Sequence, residues 1–279
     1  MILHLTDELV NSVLPNTLVT VDEEISMAER LQPYADAAAR WLTSHVLGSY
    51  VPEDDSVIVG IAEATVVIKA VLDALPALDL VVTPTGFGVV SSDSLAPASK
   101  ERIERLMESL RIRLKETVIR LQYECVKSGK WRETDRGRYY CHTFLPFLLD
   151  VQSLVGTSDI FDVYDKARNV ASFFEHALAD MFIGHVFLHE FRDAYVNQEY
   201  LYTHPLVTAI RGAVLRYVQG HINDRYPSCV VEHEVWHYAE AILRVLREDP
   251  VLHHVWHSST GDKFDVEPFQ NNRKGGYFF

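Results

Sequence analysis

The chain has 279 residues, 48% of them apolar, and a formal net charge of −13. This composition excludes wholesale disorder, and the length allows one large core or two smaller ones. The acidic balance argues against a general nucleic-acid binder, because attraction to phosphate needs a basic surface.

We expect a protein that stays out of membranes and in a reducing compartment. No apolar run approaches the roughly 20 residues that span a bilayer. The first segment, MILHLTDELVNSV, lacks the basic start of a secretory signal. The three cysteines show no CxxC spacing and cannot all pair with one another, which is typical of reduced thiols in a cytoplasmic protein.

The N-terminal part predicts an arm followed by two helices. Residues 1–20 predict an irregular arm with one short helix. A helix is predicted from Asp22 to Gly48. Its shared apolar face consists of Met27, Leu31, Tyr34, Ala38 and Trp41. A second, largely apolar helix is predicted over residues 56–75.

Residues 78–90 predict a small β-hairpin. Apolar runs of strand length flank a turn at Thr85-Gly86, and Pro84 ends the first strand because it has no backbone donor. Gly86 and Gly88 could also bring backbone amides close to an anion. No Gly-Lys-Ser/Thr sequence follows them, so a tight turn is the preferred interpretation.

A long charged helix is predicted over residues 97–128, with Pro97 in its first turn and Gly129 as its C-cap. Its apolar stripe consists of Ile103, Met107, Leu110, Leu114, Val118, Leu121 and Cys125. From Lys100 to Arg138 there are 12 Lys+Arg and 7 Asp+Glu, a local charge of +5, so the remainder (14 basic, 32 acidic) carries −18. A basic helix on an acidic body favours contact between copies or with an acidic partner. A solvated helix with its own ion pairs has the same composition.

The sequence therefore predicts a mainly α protein with a small β-hairpin, built as a helical bundle-like body with extended N- and C-terminal arms. An N-terminal unit covers residues 1–130, and an aromatic linker covers 131–158. A C-terminal helical unit covers 159–250, beginning with one long helix from Asp159 to Val196. Residues 251–279 are predicted to be an extended arm, and the two helical halves could be a diverged duplication.

One catalytic motif must be weighed. His233-Glu234-Val235-Trp236-His237 matches HExxH, in which two histidines one helical turn apart bind zinc and the glutamate activates a zinc-bound water. Two features argue against a zinc site. Positions 240 and 243 are Glu240 and Leu243, where an extended motif has Gly and His. The motif histidines also lie opposite the apolar face of their helix. A zinc-dependent hydrolase remains the alternative interpretation.

Two other histidine groups could join a metal site. His185 and His189 are separated by four residues and are followed by Glu190. A second group, His253, His254 and His257, follows Pro250. Histidines without a ligand are more common than metal ligands, so we predict no catalytic residues, no cofactor and no metal.

The segment LDLVVTPTGFGVVSSDSLAPASKERIERL, the preceding ADAAARWLTSHVLG and the ending FQNNRKGGYFF together resemble a domain-of-unknown-function family of Bacteroides-type phages and prophages. The likeness is strongest over residues 28–125 and at the C-terminus. It implies a virion structural protein, a head–tail connector or adaptor in the neck that forms a homo-oligomeric ring. It also implies contact with the portal or other neck and tail proteins, DNA that passes without specific binding, and a cytoplasmic location in the host before assembly.

The candidate assembly contacts are Arg111, Arg113, Phe278 and Phe279. Both arginines lie in the basic helix. The two phenylalanines end the chain after a Gly-Gly pair, and terminal aromatic side chains are costly to leave in water. We expect them to dock on the body of the protein or on a neighbouring copy.

Docking on a neighbouring copy predicts that removal of residues 270–279 abolishes assembly between copies, because it removes this aromatic segment. Light scattering coupled to size-exclusion chromatography measures the mass of the assembly. Full-length chains carrying Phe278→Ala and Phe279→Ala should show the same loss. Assembly of the truncated chain at the full-length mass would contradict the prediction.

Overall fold

The computed structural model describes residues 4–15, 26–52, 55–78, 80–83, 86–89, 100–154, 159–196, 204–223 and 232–260. These residues are mostly helical, which confirms the prediction of a mainly α protein. The α-helices are α1 (Asp7–Val13), α2 (Met27–Leu42), α3 (Ser56–Leu78), α4 (Lys100–Lys127), α5 (Gly129–Arg132), α6 (Asp135–Tyr140), α7 (Ile160–Leu178), α8 (His185–Val196), α9 (Pro205–His221), α10 (Glu232–Glu248) and α11 (Pro250–Thr260). None of the helices in this described part is long and apolar enough to cross a membrane.

The chain divides into two compact units. The first unit comprises Met1–His142 and Pro146–Tyr164, and the second comprises Thr143–Leu145 and Asp165–Phe279. The predicted boundary near residue 130 is therefore too early, because the chain after α4 continues to pack within the first unit.

The first unit is built on α2, α3 and α4, which pack against one another. The predicted stripe of α4 is confirmed over its second half, where Val118, Leu121 and Cys125 are buried. Further toward the N-terminus of this helix only Leu110 is buried, while Ile103, Met107 and Leu114 are half-buried. Helix α4 thus anchors to the core by its C-terminal half.

The short helix predicted within residues 1–20 is confirmed as α1, but the predicted irregular arm is wrong for residues 4–15. Helix α1 packs on α2 and α3, and its Val10 is buried. Two hydrogen bonds hold the segment to the start of α2: Leu5 N donates to Gln32 Oε1 over 2.9 Å, and Ala28 N donates to Asp7 Oδ1 over 2.9 Å. Burial of Val10 together with these bonds outweighs the entropy of a free arm.

Helix α2 does not end in an ordinary α turn. It continues as a π turn, Thr43–Leu47 (the first π turn), and stops at Gly48, whose φ of 62° suits a residue without a Cβ. The carbonyls near this buried helix end need donors from elsewhere. The indole Nε1 of Trp131 donates to the Val46 carbonyl over 2.9 Å, and the hydroxyl of Tyr140 donates to the His45 carbonyl over 3.0 Å.

The predicted aromatic linker over 131–158 is therefore wrong for its described residues. It contains part of α5, all of α6 and a 3-10 segment, Leu148–Leu154. Its aromatic side chains are core residues: Trp131, Tyr140 and Phe147 are buried. Gln122 of α4 anchors the segment as well, because its amide donates to the Pro146 carbonyl and accepts from Leu148 N.

Two short strands follow α3. Strand β1 (Leu80–Thr83) pairs antiparallel with β2 (Gly86–Val89), with Leu80 opposite Val89 and Thr83 opposite Gly86.

The longer segment of the second unit starts within α7, a helix that is interrupted. The single helix predicted from Asp159 to Val196 is wrong, because α7 passes into a second π turn, Ala179–Ile183, and stops at Gly184, whose φ is 87°. Helix α8 starts afresh at His185. The restart shifts the helical phase, so Val186 is exposed while Phe187, Leu188 and Phe191 are buried.

The second π turn is also supported by a buried tryptophan. Trp256 of α11 donates its indole N–H to the Ile183 carbonyl over 3.0 Å and is almost fully buried. Helix α11 packs on α8 and α10. The predicted extended arm over 251–279 is thus wrong for its first ten residues, because burial of Trp256 stabilises a helix there. Residues 261–279 lie outside the described part.

Gly137 has a tight place in the first unit. A Cβ there would lie 2.0 Å from the Trp131 carbonyl oxygen and 2.5 Å from the Cα of Arg132, so the Gly137→Ala change should destabilise the protein by about 3 kcal/mol through overpacking. Gly60, exposed in α3 with nothing within 4 Å of its Cβ position, is the matched control. There the change to Ala should stabilise by about 0.5–1 kcal/mol. Urea unfolding measures both, and equal effects at the two sites would contradict this packing.

Candidate functional site

The exposed surface of α4 is the first candidate site. None of the residues from Lys100 to Ser109 is buried against the described part of the chain. Arg102 and Arg105 on this stretch and Arg111 and Arg120 beyond it are exposed. An exposed helical surface with arginines along several turns can contact acidic groups on another molecule.

The two predicted arginine contacts differ in their surroundings. The guanidinium of Arg111 lies 3.5 Å from the carboxylate of Glu108, and both side chains are more than half exposed. Such an exposed pair holds Arg111 only weakly, so it can exchange for an external partner. Arg113 instead donates to the carbonyl of Val13 over 2.9 Å, at the end of α1. Arg113 therefore has a structural contact in its own chain, which the sequence did not reveal. Phe278 and Phe279 lie outside the described residues.

The HExxH residues lie on α10, as predicted. Glu234 Oε2 lies 3.5 Å from Nε2 of His221 on α9. His237 is exposed, whereas Val235 and Ile242 are buried, which confirms that His237 lies away from the apolar face. The side chain of His233 is outside the described side chains. Among those described, neither Glu234 nor His237 belongs to a group of three potential metal ligands.

The pair His185 and His189 is brought onto one face of α8, with ring centroids 6.1 Å apart. The two rings have different partners. His185 Nε2 lies 2.6 Å from Oδ1 of Asp180, and His189 Nδ1 lies 2.7 Å from the guanidinium of Arg192. Because a guanidinium only donates, Nδ1 of His189 accepts and the ring is neutral. Burial and the positive charge of Arg192 also lower the pKa of His189, which agrees with a neutral ring.

Of the third histidine group, His253 and His257 lie on one face of α11 with ring centroids 4.4 Å apart. His254 is exposed. No group of three metal ligands among the described residues includes these histidines.

Sequence reasoning missed a buried acid, Glu175 of α7. Only 4% of it is exposed, and its Oε1 accepts a hydrogen bond of 2.7 Å from the backbone N–H of Phe144. Burial raises the pKa of Glu175 to about 8, against the opposing effects of the Phe144 N–H and the charge of Arg192. The available signal was its position: Glu175 falls on the same helical face as the buried Ala171 and Leu178.

Glu175 should make the second unit less stable as the pH rises. Its folded-state pKa of about 8 lies above the ordinary value of 4.5, so the folded protein keeps a proton that the unfolded chain releases between these values. Stability falls across that window by at most about 1.4 kcal/mol per pH unit and levels off above it.

The Glu175→Gln variant keeps an acceptor for Phe144 N–H but cannot ionise. Its free energy of unfolding should therefore lose this pH-dependent contribution, measured by urea unfolding at several pH values. Glu240→Gln, at an exposed position of α10, is the control and should follow the unmodified protein. Parallel curves for Glu175→Gln and the unmodified protein would refute a protonated buried acid.

Comparison with known protein families gives a match for part of the chain. Residues 23–121, about a third of the chain, match a family described as a family of unknown function, DUF6712. No curated protein and no solved structure matches the chain. The matched segment begins after α1, four residues before α2, and ends within α4. It supplies a family likeness without an activity.

Proposed function

We propose that this protein is a structural component of a phage virion, a head–tail connector or adaptor that assembles as a homo-oligomeric ring. The observation that carries the proposal is the resemblance of residues 78–106, of the earlier ADAAARWLTSHVLG and of the C-terminal FQNNRKGGYFF to a phage and prophage family. The family match over residues 23–121 covers much of the same region and is compatible with the proposal, although that family has no known function.

The separation of charge along the chain supports self-assembly. The segment from Lys100 to Arg138 carries +5 and the remainder −18, so the basic segment of one copy attracts the acidic surface of the next. The N-terminal half of α4, residues 100–113, carries part of this charge: five Lys+Arg and three Asp+Glu, a charge of +2, all on exposed side chains. An interface there would shield half-buried apolar side chains such as Ile103 and Met107.

The acidic remainder also fits a channel for DNA. A lumen lined by carboxylates repels phosphate, so the genome passes without being held. In this proposal the partners are further copies of the chain and the portal or other neck and tail proteins. The protein resides in the host cytoplasm before it enters the virion.

We also propose roles for the hairpin and for the C-terminal segment. A helical bundle-like body carries the small hairpin, and the C-terminal segment, which lies outside the described part after Thr260, contacts a neighbouring copy. The described segment 4–15 is packed on its own unit, so it is not assigned to an arm.

Charge reversal on α4 tests this assembly surface. Arg105→Glu together with Arg111→Glu should dissociate the oligomer, because both side chains are exposed and would repel the acidic neighbour. Arg113 is left unchanged because it holds α1. Sedimentation velocity measures the distribution of assembly sizes, and raised salt should weaken the unmodified oligomer in the same direction.

The matched control is Lys166→Glu, which reverses an exposed charge on α7 in the second unit. It should leave the assembly size unchanged. Circular dichroism establishes that each variant is folded. A folded double variant that assembles like the unmodified protein would refute the role of α4, and equal losses in the control would show a general charge effect.

A further inference from the structure

Three side chains at the junction of α7 and α8 converge on one point. The imidazole Nε2 atoms of His176 and His185 lie 3.3 Å and 2.6 Å from the two carboxylate oxygens of Asp180, respectively. One potential ligand atom from each residue lies within 4.8 Å of the others. The side chains are accessible from solvent, with 70%, 54% and 40% of His176, Asp180 and His185 exposed.

The fold creates this convergence through the second π turn. His176 lies on the last turn of α7, Asp180 on the π turn and His185 at the start of α8. The backbone N–H of Gly184 bonds to the Ala179 carbonyl, five residues back, over 2.9 Å. The extra residue in the turn and the positive φ of Gly184 bring the first side chain of α8 back to Asp180. π turns of this kind are frequent at functional sites.

We infer that His176, Asp180 and His185 form a binding site for a divalent transition-metal ion, and that zinc is the ion they suit best. Two imidazoles and one carboxylate are a borderline set of nitrogen and oxygen donors, which zinc accepts and which calcium and magnesium do not favour. The inference is independent of the proposed role in assembly.

The distances allow this coordination with small side-chain movements. Zinc bonds of about 2.1 Å in a tetrahedral arrangement place neighbouring ligand atoms about 3.4 Å apart. The atoms here lie within 4.8 Å, and exposed side chains can rotate by the remaining distance. A hydrogen bond joins His185 to Asp180, and Nε2 of His176 lies 3.3 Å from the same carboxylate, so the donors are already close together. On binding, the ion takes the place of the protons on the ligand nitrogens. Three protein ligands leave one position for water.

His189 is excluded from the ligand set although it is the helical neighbour of His185. Its Nδ1 is occupied by the guanidinium of Arg192 at 2.7 Å. The spacing of His185 and His189 in the sequence therefore does not identify the ligand set. The partners of His185 are Asp180 and His176, which lie five and nine residues before it. Those spacings share a face only because the helix is interrupted.

Bound zinc would tie α7 and the π turn to α8 across Gly184. It should therefore stabilise the second unit by mass action, since the unfolded chain does not hold the three ligands together.

Isothermal titration of the full-length protein with zinc chloride tests the site. The unmodified protein should bind one zinc ion at this site. His176→Ala and Asp180→Asn should each weaken that binding at least about tenfold, the lower end of the loss seen when a residue that merely orients a ligand is removed. Two exposed histidines supply matched controls: His254→Ala and His237→Ala should leave the affinity unchanged. Thermal unfolding with and without zinc gives a second readout, in which only the cluster variants lose the zinc-induced rise in Tm.

The outcomes separate three accounts. Loss in the cluster variants with retention in both controls supports the site. Loss in His237→Ala with retention in the cluster variants would overturn it and place the ion on the HExxH segment. Equal weak binding in all variants, or no binding by the unmodified protein, would show that the exposed cluster is only a hydrogen-bonded group. For the proteins that still bind the ion, visible absorption of the cobalt-substituted form checks that nitrogen and oxygen ligands surround it.

Discussion

Both units depend on one constraint: a helix that ends inside the protein leaves backbone carbonyls without donors, and these must be satisfied. In each unit the helix ends in a π turn and then a glycine with positive φ. In each, a buried tryptophan from a later helix donates its indole N–H to a carbonyl of that turn, Trp131 to Val46 and Trp256 to Ile183. The tryptophan contributes a large apolar side chain to the core and a single donor to the helix end. Without it the carbonyl would be buried and unpaired, at a cost of about 1–3 kcal/mol.

This shared arrangement is consistent with a diverged duplication of one helical unit, although the two units carry different side chains at the π turn. In the first unit the turn contributes His45 to an aromatic group with Trp41 and Phe161, with ring centroids 4.7 Å apart between His45 and Phe161. In the second unit the turn contributes Asp180, which joins the two histidine rings. The first turn thus serves packing, and the second leaves polar groups exposed to solvent. A π turn permits both because it redirects side chains without unfolding the helix.

Helical periodicity predicted the elements whose burial follows a regular stripe, and it failed where backbone geometry breaks that stripe. The apolar face of α4 was predicted because Val118, Leu121 and Cys125 recur at helical spacing. The break at Gly184 was not predicted, because apolar residues continue on both sides of it and a lone glycine inside a helix is usually tolerated. The aromatic linker was misassigned because Trp131 and Tyr140 both donate to carbonyls of the π turn at the end of α2, which is distant in sequence. The polar residues were the least predictable. Glu175 could have been found from its place on an apolar helical face, whereas the contact of Asp180 with His185 depends on a π turn that no local sequence pattern predicts.

The central claim is that copies of this chain assemble through complementary charge on an acidic body and a basic helix. Native mass spectrometry of the purified full-length protein tests it most directly, because it reports the number of copies and any bound ion together. The account predicts a single homo-oligomeric species of defined copy number that dissociates as the salt concentration rises. A monomer at every protein concentration, including low salt, would contradict it.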